Sequence, residues 1–167
     1  LNMDLNILNN KYPFDWDIVQ FSDALNDATS GNPKIKKSDY KKTGIIPVID
    51  QGKEHIGGYY DDEKMACKEK LPCILFGDHT KIFKFINYPF ALGADGVKVL
   101  TPKEGFDEKF LYYYLKKINF PNNLGYSRHY KFLKESLIIK PPLKDQKRIA
   151  AILDKAASLQ SKRSTTI

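Results

Sequence analysis

Four short apolar runs, bounded by glycine, asparagine or proline, occupy the middle of the chain and limit its folds more than any other feature. They are Ile45-Ile46-Pro47-Val48-Ile49, Cys73-Ile74-Leu75-Phe76, Ile82-Phe83-Lys84-Phe85-Ile86 and Val97-Lys98-Val99-Leu100. Runs of four or five β-branched and aromatic residues suit strands and are too short for helices. Gly52, Gly57, Gly58, Gly77, Gly93 and Gly96 supply the turns between them. Pro47 lacks a backbone donor, so the first run is expected at a sheet edge or in a bulge. Strands this closely spaced, with few helical stretches between them, predict an antiparallel or mixed sheet rather than a doubly wound one.

On either side the pattern changes. Residues 1–12 are polar and Asn-rich and read as an N-terminal extension. Pro13-Phe14-Asp15-Trp16 joins an aromatic cluster to a turn signal and leads into a short segment through Leu25. Thr29 to Lys34 is a loop by composition, and Lys34, Lys36, Lys37, Lys41 and Lys42 predict a basic, mobile stretch around it. From Asp107 onward, Phe110, Leu111, Tyr114, Leu115 and Ile118 recur at helical spacing, with acids in the first turn where the dipole favours them. A second helix begins after Pro141-Pro142, and its apolar stripe of Ile149, Ile152, Leu153, Ala156 and Leu159 also suits a heptad seam. That stripe packs either on its own domain or on a helix elsewhere. The fold class is α+β: a globular mixed or antiparallel sheet domain over 13–142, then a helix over 143–167.

A chain of 167 residues is long enough for a real core, burying roughly 70% of its unfolded surface. No apolar run approaches a membrane span, and Leu1 to Leu5 lack the pattern of a signal peptide, so a cytoplasmic protein is expected. Cys67 and Cys73 match no CxxC spacing and read as reduced structural thiols; no metal site is assigned. The net charge is +7, and the whole excess lies in residues 101–167, where fourteen Lys/Arg face six Asp/Glu. Such clustering points to a polyanionic partner, since neutralised phosphates release counterions, or to a surface that merely keeps the protein soluble.

No Gly-rich phosphate loop, HExxH or GxSxG occurs, and Asp107-Glu108-Lys109 lacks a strand-borne acidic partner, so no catalytic residue is assigned. Three polar loops stand out instead: Gln51 to His55, Gly77 to Lys81, and Asn122 to Lys131. Arg and Lys can pair with guanine, amides with adenine, and carboxylates with cytosine N4, while Lys and backbone N–H groups hold phosphates. Asp78 and Asn122 could equally cap turns. The expected contacts are Arg128, His129, Lys131, His79, Lys81, Lys53 and His55, followed by Ser127, Tyr130, Gln51 and Lys37. A nuclease or fused methyltransferase domain, and an interaction module using the last helix alone, are the rival classes.

The segment Ile138 to Asp154, with Pro141-Pro142-Leu143, Gln146 and Ile149-Ala150, resembles the junction between a target-recognition domain and a conserved helix in the specificity (S) subunits of type I restriction–modification systems. Pro13 to Trp16, Gly31 to Pro33, Gly44 to Pro47 and Phe110 to Leu115 are similar to its other blocks. The resemblance implies a non-catalytic reader of one half of a bipartite double-stranded DNA target. It also implies methyltransferase subunits that dock on the conserved helices, carry S-adenosylmethionine and in turn bring restriction subunits. A full subunit has two such domains, so this chain is expected to be a fragment, one half of a larger subunit, or a half-subunit that self-associates through its last helix. Fused type II enzymes carry related domains and are the alternative setting. The stripe Ile149, Ile152, Leu153, Ala156 and Leu159 is then the helix interface.

Overall fold

The computed structural model describes residues 16–121 and 129–165. Among these residues, ten strands form three sheets: β1 Asp17–Gln20, β2 Leu25–Asp27, β3 Lys34–Ile35, β4 Ile46–Ile49, β5 Gly58–Tyr60, β6 Cys73–Gly77, β7 Phe83–Ile86, β8 Ala91–Gly93, β9 Val97–Pro102 and β10 Leu137–Lys140. One sheet has the order β2-β9-β6-β7 and is wholly antiparallel; a second has the order β3-β8-β4-β5; β1 and β10 pair separately. The helices are a single turn α1 Phe21–Ala24, α2 Glu108–Leu115, α3 Tyr130–Lys134 and α4 Leu143–Thr165.

Strand alternation explains the layering. In β6, Ile74 and Phe76 face a cluster with Leu100, Phe110, Leu111, Leu115 and Leu133, beneath the helices. Cys73 and Leu75 point the other way, into a second cluster with Ile49, Leu92, Val97 and Val99 between the two large sheets. A strand buried on both faces needs no polar side, hence the unbroken apolar run. β4 sits one layer further out, with Ile49 in the inter-sheet cluster and Ile46 and Val48 in a third cluster with Ile35 and Ala91. Cys67 and Cys73 are free thiols packed in the middle cluster, where burial pushes Cys73 up to about 12.

Three expectations are corrected. β4 is interior, parallel to β8 on one side and antiparallel to β5 on the other. Pro47 is tolerated because its partner Tyr59 turns both backbone groups away to Lys41, through N–H···O contacts of 2.9 and 3.0 Å, so this pair needs no proline donor. The basic stretch 34–42 is tied down rather than mobile: β3 pairs with β8, a 3₁₀ turn spans Lys37–Asp39, and Lys41 pairs with Asp61. Tyr130 and Lys131 belong to α3, not to a loop. The expected aromatic opening at Pro13 to Asp15 lies outside the described residues.

α4 starts where Pro141-Pro142 ends β10. Gln146, 0% exposed, fastens it: Oε1 accepts from Asp107 N (2.8 Å), and Nε2 donates to Gly105 O (3.0 Å) and Pro141 O (2.8 Å). The Asp107 carboxylate in turn caps α2 by accepting from Phe110 N at 2.8 Å.

Candidate nucleic-acid interface

Topology gathers the polar loops. β3 and β4 both run parallel to β8, so the C-terminal ends of all three lie at one end of their sheet. Gly77, which ends β6, stands in register with Val97, which begins β9, and residues 94–96 link β8 to β9. The loop after β4, the β6–β7 hairpin and the 94–96 turn therefore share one end of the molecule. The start of α3 joins them, because His129 N donates to Asp78 O (3.0 Å) and Tyr130 N to the buried Asp78 carboxylate (2.7 Å). Asp78 is thus a cap for α3, the second of its two expected roles.

Gln51 binds three of these segments. Its Oε1 accepts from His79 N at 3.1 Å, and its Nε2 donates to Asp95 O at 3.2 Å. Lys84, 5% exposed, sends its ammonium inward from β7 to Asp50 O (2.7 Å) and Glu54 O (2.6 Å), bracing the loop after β4 from beneath. Burial lowers the Lys84 pKa, while the carboxylates of Asp50 and Glu54 act in the opposite direction. Gly96 has φ +68, and a Cβ there would sit 2.5 Å from Gln51 Nε2, so only glycine lets the strands close on this side chain.

Several expected contacts lie on this end. Lys53 and His55 are exposed, and His79 and Lys81 are half-buried on the hairpin. Desolvation, helped by the Lys84 charge, lowers the His55 pKa, which keeps its ring neutral near pH 7. Lys81 adopts φ 60, and its ammonium lies 5.8 Å from the Phe120 ring centre. Lys131 is exposed on α3, and the ammonium groups of Lys98 and Lys134 flank the Tyr130 ring at 4.9 and 5.2 Å. Lys37, exposed, follows β3 at the same end of its sheet.

His129, Tyr130 and Gln51 are placed differently from the expected contacts. His129 is 3% exposed, edge-on to Phe120, and Tyr130 is buried in the core against Phe21 and Phe76. The capped first turn of α3 rotates both rings inward, where an aromatic core is more favourable than solvent. Gln51 has both ends of its carboxamide engaged within the fold. Ser127 and Arg128, with the rest of 122–128, lie outside the described residues. Lys84 and Lys98 were not singled out from sequence, and Gln146 entered only through the resemblance; a lone Lys among Phe83, Phe85 and Ile86 was the available signal for the first.

The stripe on α4 divides. Ile149 and Ala150 join the domain's own core, and Leu153 is half-buried. Ile152 and Leu159 remain 59% and 54% exposed, and Ala156 lies between them on the exposed side. At 100° per residue these three occupy a face roughly a quarter-turn away from the docked one. No helix among the described residues is long and apolar enough to cross a membrane.

Residues 13–167 match the family model described as type I restriction modification DNA specificity domain. The chain belongs to this family. Over 87 residues, half of the chain, it is 30% identical to the EcoR124I/EcoR124II specificity subunit of Escherichia coli, of which it covers 22%. Its fold matches the HsdS subunit from Thermoanaerobacter tengcongensis with a TM-score of 0.59 at 20% identity, covering 90% of this chain and 39% of that one. The S subunit from M. genitalium gives a TM-score of 0.65 at 14% identity, covering 91% and 42%. This specificity-domain chain thus spans about two fifths of the solved relatives it matches. The expected α+β class, with mixed and antiparallel sheets and a long last helix, is the observed fold, and the type I family is favoured over the fused type II setting.

Proposed function

We propose that this specificity domain is a non-catalytic reader of one half of a bipartite double-stranded DNA target, lending sequence preference to methyltransferase subunits in the cytoplasm. The observation that carries the reading is the convergence of four polar segments (50–55, 78–81, 94–96 and 129–131) on one end of the fold, cross-linked by Gln51 and Asp78. Lys53, His55, His79 and Lys81 enter the major groove, Arg128 and Ser127 are further base contacts, and Lys131 and Lys37 hold phosphates. The recognition unit spans 13–142 and the spacer helix 143–167. The exposed seam of Ile152, Ala156 and Leu159 packs against another helix of the assembly, and restriction subunits join through the methyltransferase. S-adenosylmethionine belongs to that partner, and no cofactor or metal to this chain.

The test is genome-wide mapping of methylated motifs in cells with the complete system and in cells lacking this chain. A motif that disappears on deletion supports the reading. An unchanged motif set, or cleavage or methylation of duplexes by the purified chain alone, refutes it.

A further inference from the structure

We infer that Gln51 is a positioning residue that fixes the separate reading loops as one rigid template, and that sequence preference, as distinct from DNA affinity, depends on it. The inference rests on the proposed function and assigns Gln51 a role other than base contact.

The geometry supports this division of labour. The loop after β4 is closed at its base by Gly57 N donating to Val48 O (2.9 Å), and Lys84 of β7 braces its backbone from beneath. The β6–β7 hairpin is likewise closed by Gly77 N donating to Ile82 O (2.9 Å). The turn at 94–96 is anchored by Ala94 N to Ile35 O (2.7 Å) and by Asp78 N to Gly96 O (2.7 Å). Backbone bonds and Lys84 thus hold each loop at its base, and nearer the tips the Gln51 carboxamide ties the β4 loop to His79 of the hairpin and to Asp95 of the turn.

A donor reads a base edge only within a few tenths of an ångström of its ideal distance, and loops that move independently lose that match. Phosphate attraction tolerates such motion, because it falls off slowly with distance and carries no base information. Loosening Gln51 should thus separate the two properties. Its close packing against Gly96 and Gly77 also shows how little room an alternative side chain has.

The test compares wild type, Gln51→Leu and Gln51→Glu, each with the full sequence of the chain, by selection from a pool of random-sequence duplexes. Preferred and scrambled duplexes are then titrated at low salt, and hydrogen exchange is followed at the His79 amide. Gln51→Leu is expected to cut the ratio of preferred to scrambled binding about tenfold while leaving scrambled binding within about twofold. It should also speed exchange at His79. Gln51→Glu keeps an acceptor for His79 N–H and loses only the donor to Asp95 O, so it should retain His79 protection and fall between the two. Full preference in Gln51→Leu, or equal loss of preferred and scrambled binding, overturns the inference. Wild type without any preference removes the reading on which it rests, and His79 exchange then still reports whether the lock itself exists.

Discussion

Lys109 Nζ on α2 lies 3.0 Å from Asp154 Oδ1 on α4, and the Tyr113 hydroxyl donates to the same oxygen. These two bonds latch a 23-residue helix about three turns from its start, beyond which α4 runs on with its side chains exposed. Both charged partners are more than a third exposed, so the ion pair itself contributes about 0.5 kcal/mol. With the phenol bond, Asp154→Ala should cost about 1 kcal/mol. A urea titration measures that cost, and a double-mutant cycle with Lys109→Met isolates the ion pair.

The same latch responds to pH in a defined direction. Partial burial raises the Asp154 pKa, but Tyr113 and Lys109 outweigh it and hold the carboxyl below its ordinary value. Its contribution is therefore complete above about pH 4 and lost as pH falls through the lowered value. Burial and Asp154 together push Tyr113 up to about 12, so its contribution is complete below about pH 10 and lost on the way to pH 12. Exchange of α4 amides should accelerate relative to core strands at both extremes. An Asp154→Ala chain that retains this acid dependence would locate it elsewhere.

Gln146→Leu removes all three bonds that seat α4 and leaves Asp107 N–H and the carbonyls of Gly105 and Pro141 without their partner. At about 1 kcal/mol for each bond, the loss is about 3 kcal/mol. Chemical denaturation should show that shift in midpoint. Gln146→Glu should be damaging as well, since a carboxylate accepts from Asp107 N but cannot donate to two carbonyls.

The strands that sequence revealed are those buried on both sides or nearly so. β6 carries four consecutive apolar residues because both its faces are covered, and β7 and β9 follow a similar pattern. β2, β3, β5 and β8 span only two or three residues, too few to display any period, and they were not anticipated. The polar loops were visible from their glycines and donors, but their convergence depends on β3 and β4 lying parallel to β8, a long-range pairing that local pattern does not encode. The same holds for His129 and Tyr130. Two consecutive large polar rings look like surface groups until Asp78, 51 residues before His129, caps the helix that turns them inward.

Lys131 is exposed on α3, next in sequence to Tyr130, whose ring Lys98 and Lys134 flank, and under the proposed function it meets phosphate. Lys131→Ala should weaken binding to preferred and scrambled duplexes alike and reduce the salt slope by about one. Alanine is a good helix former, so α3 itself is not compromised. Titrations at several salt concentrations separate this outcome from a change in base preference. A selective loss on the preferred duplex would assign Lys131 to a base edge instead.

His129 ties the interface to stability through pH. Burial, with the nearby Lys81 and His79, lowers its pKa, and the opposing pull of Asp78 is too weak to reverse that. Its Nδ1 is buried with no hydrogen-bond partner among the described residues, so the folded state favours the neutral ring. In the unfolded chain the ring takes up a proton below about pH 6.5. Stability is therefore full above that value and falls as pH drops toward the lowered folded value, because the unfolded state then binds more protons. Urea midpoints at pH 7 and pH 5 should differ in the wild type. In His129→Phe, which keeps an aromatic ring beside Phe120 but cannot be protonated, the difference should shrink. An equal fall in both proteins would trace the acid sensitivity to other groups and leave His129 as packing alone.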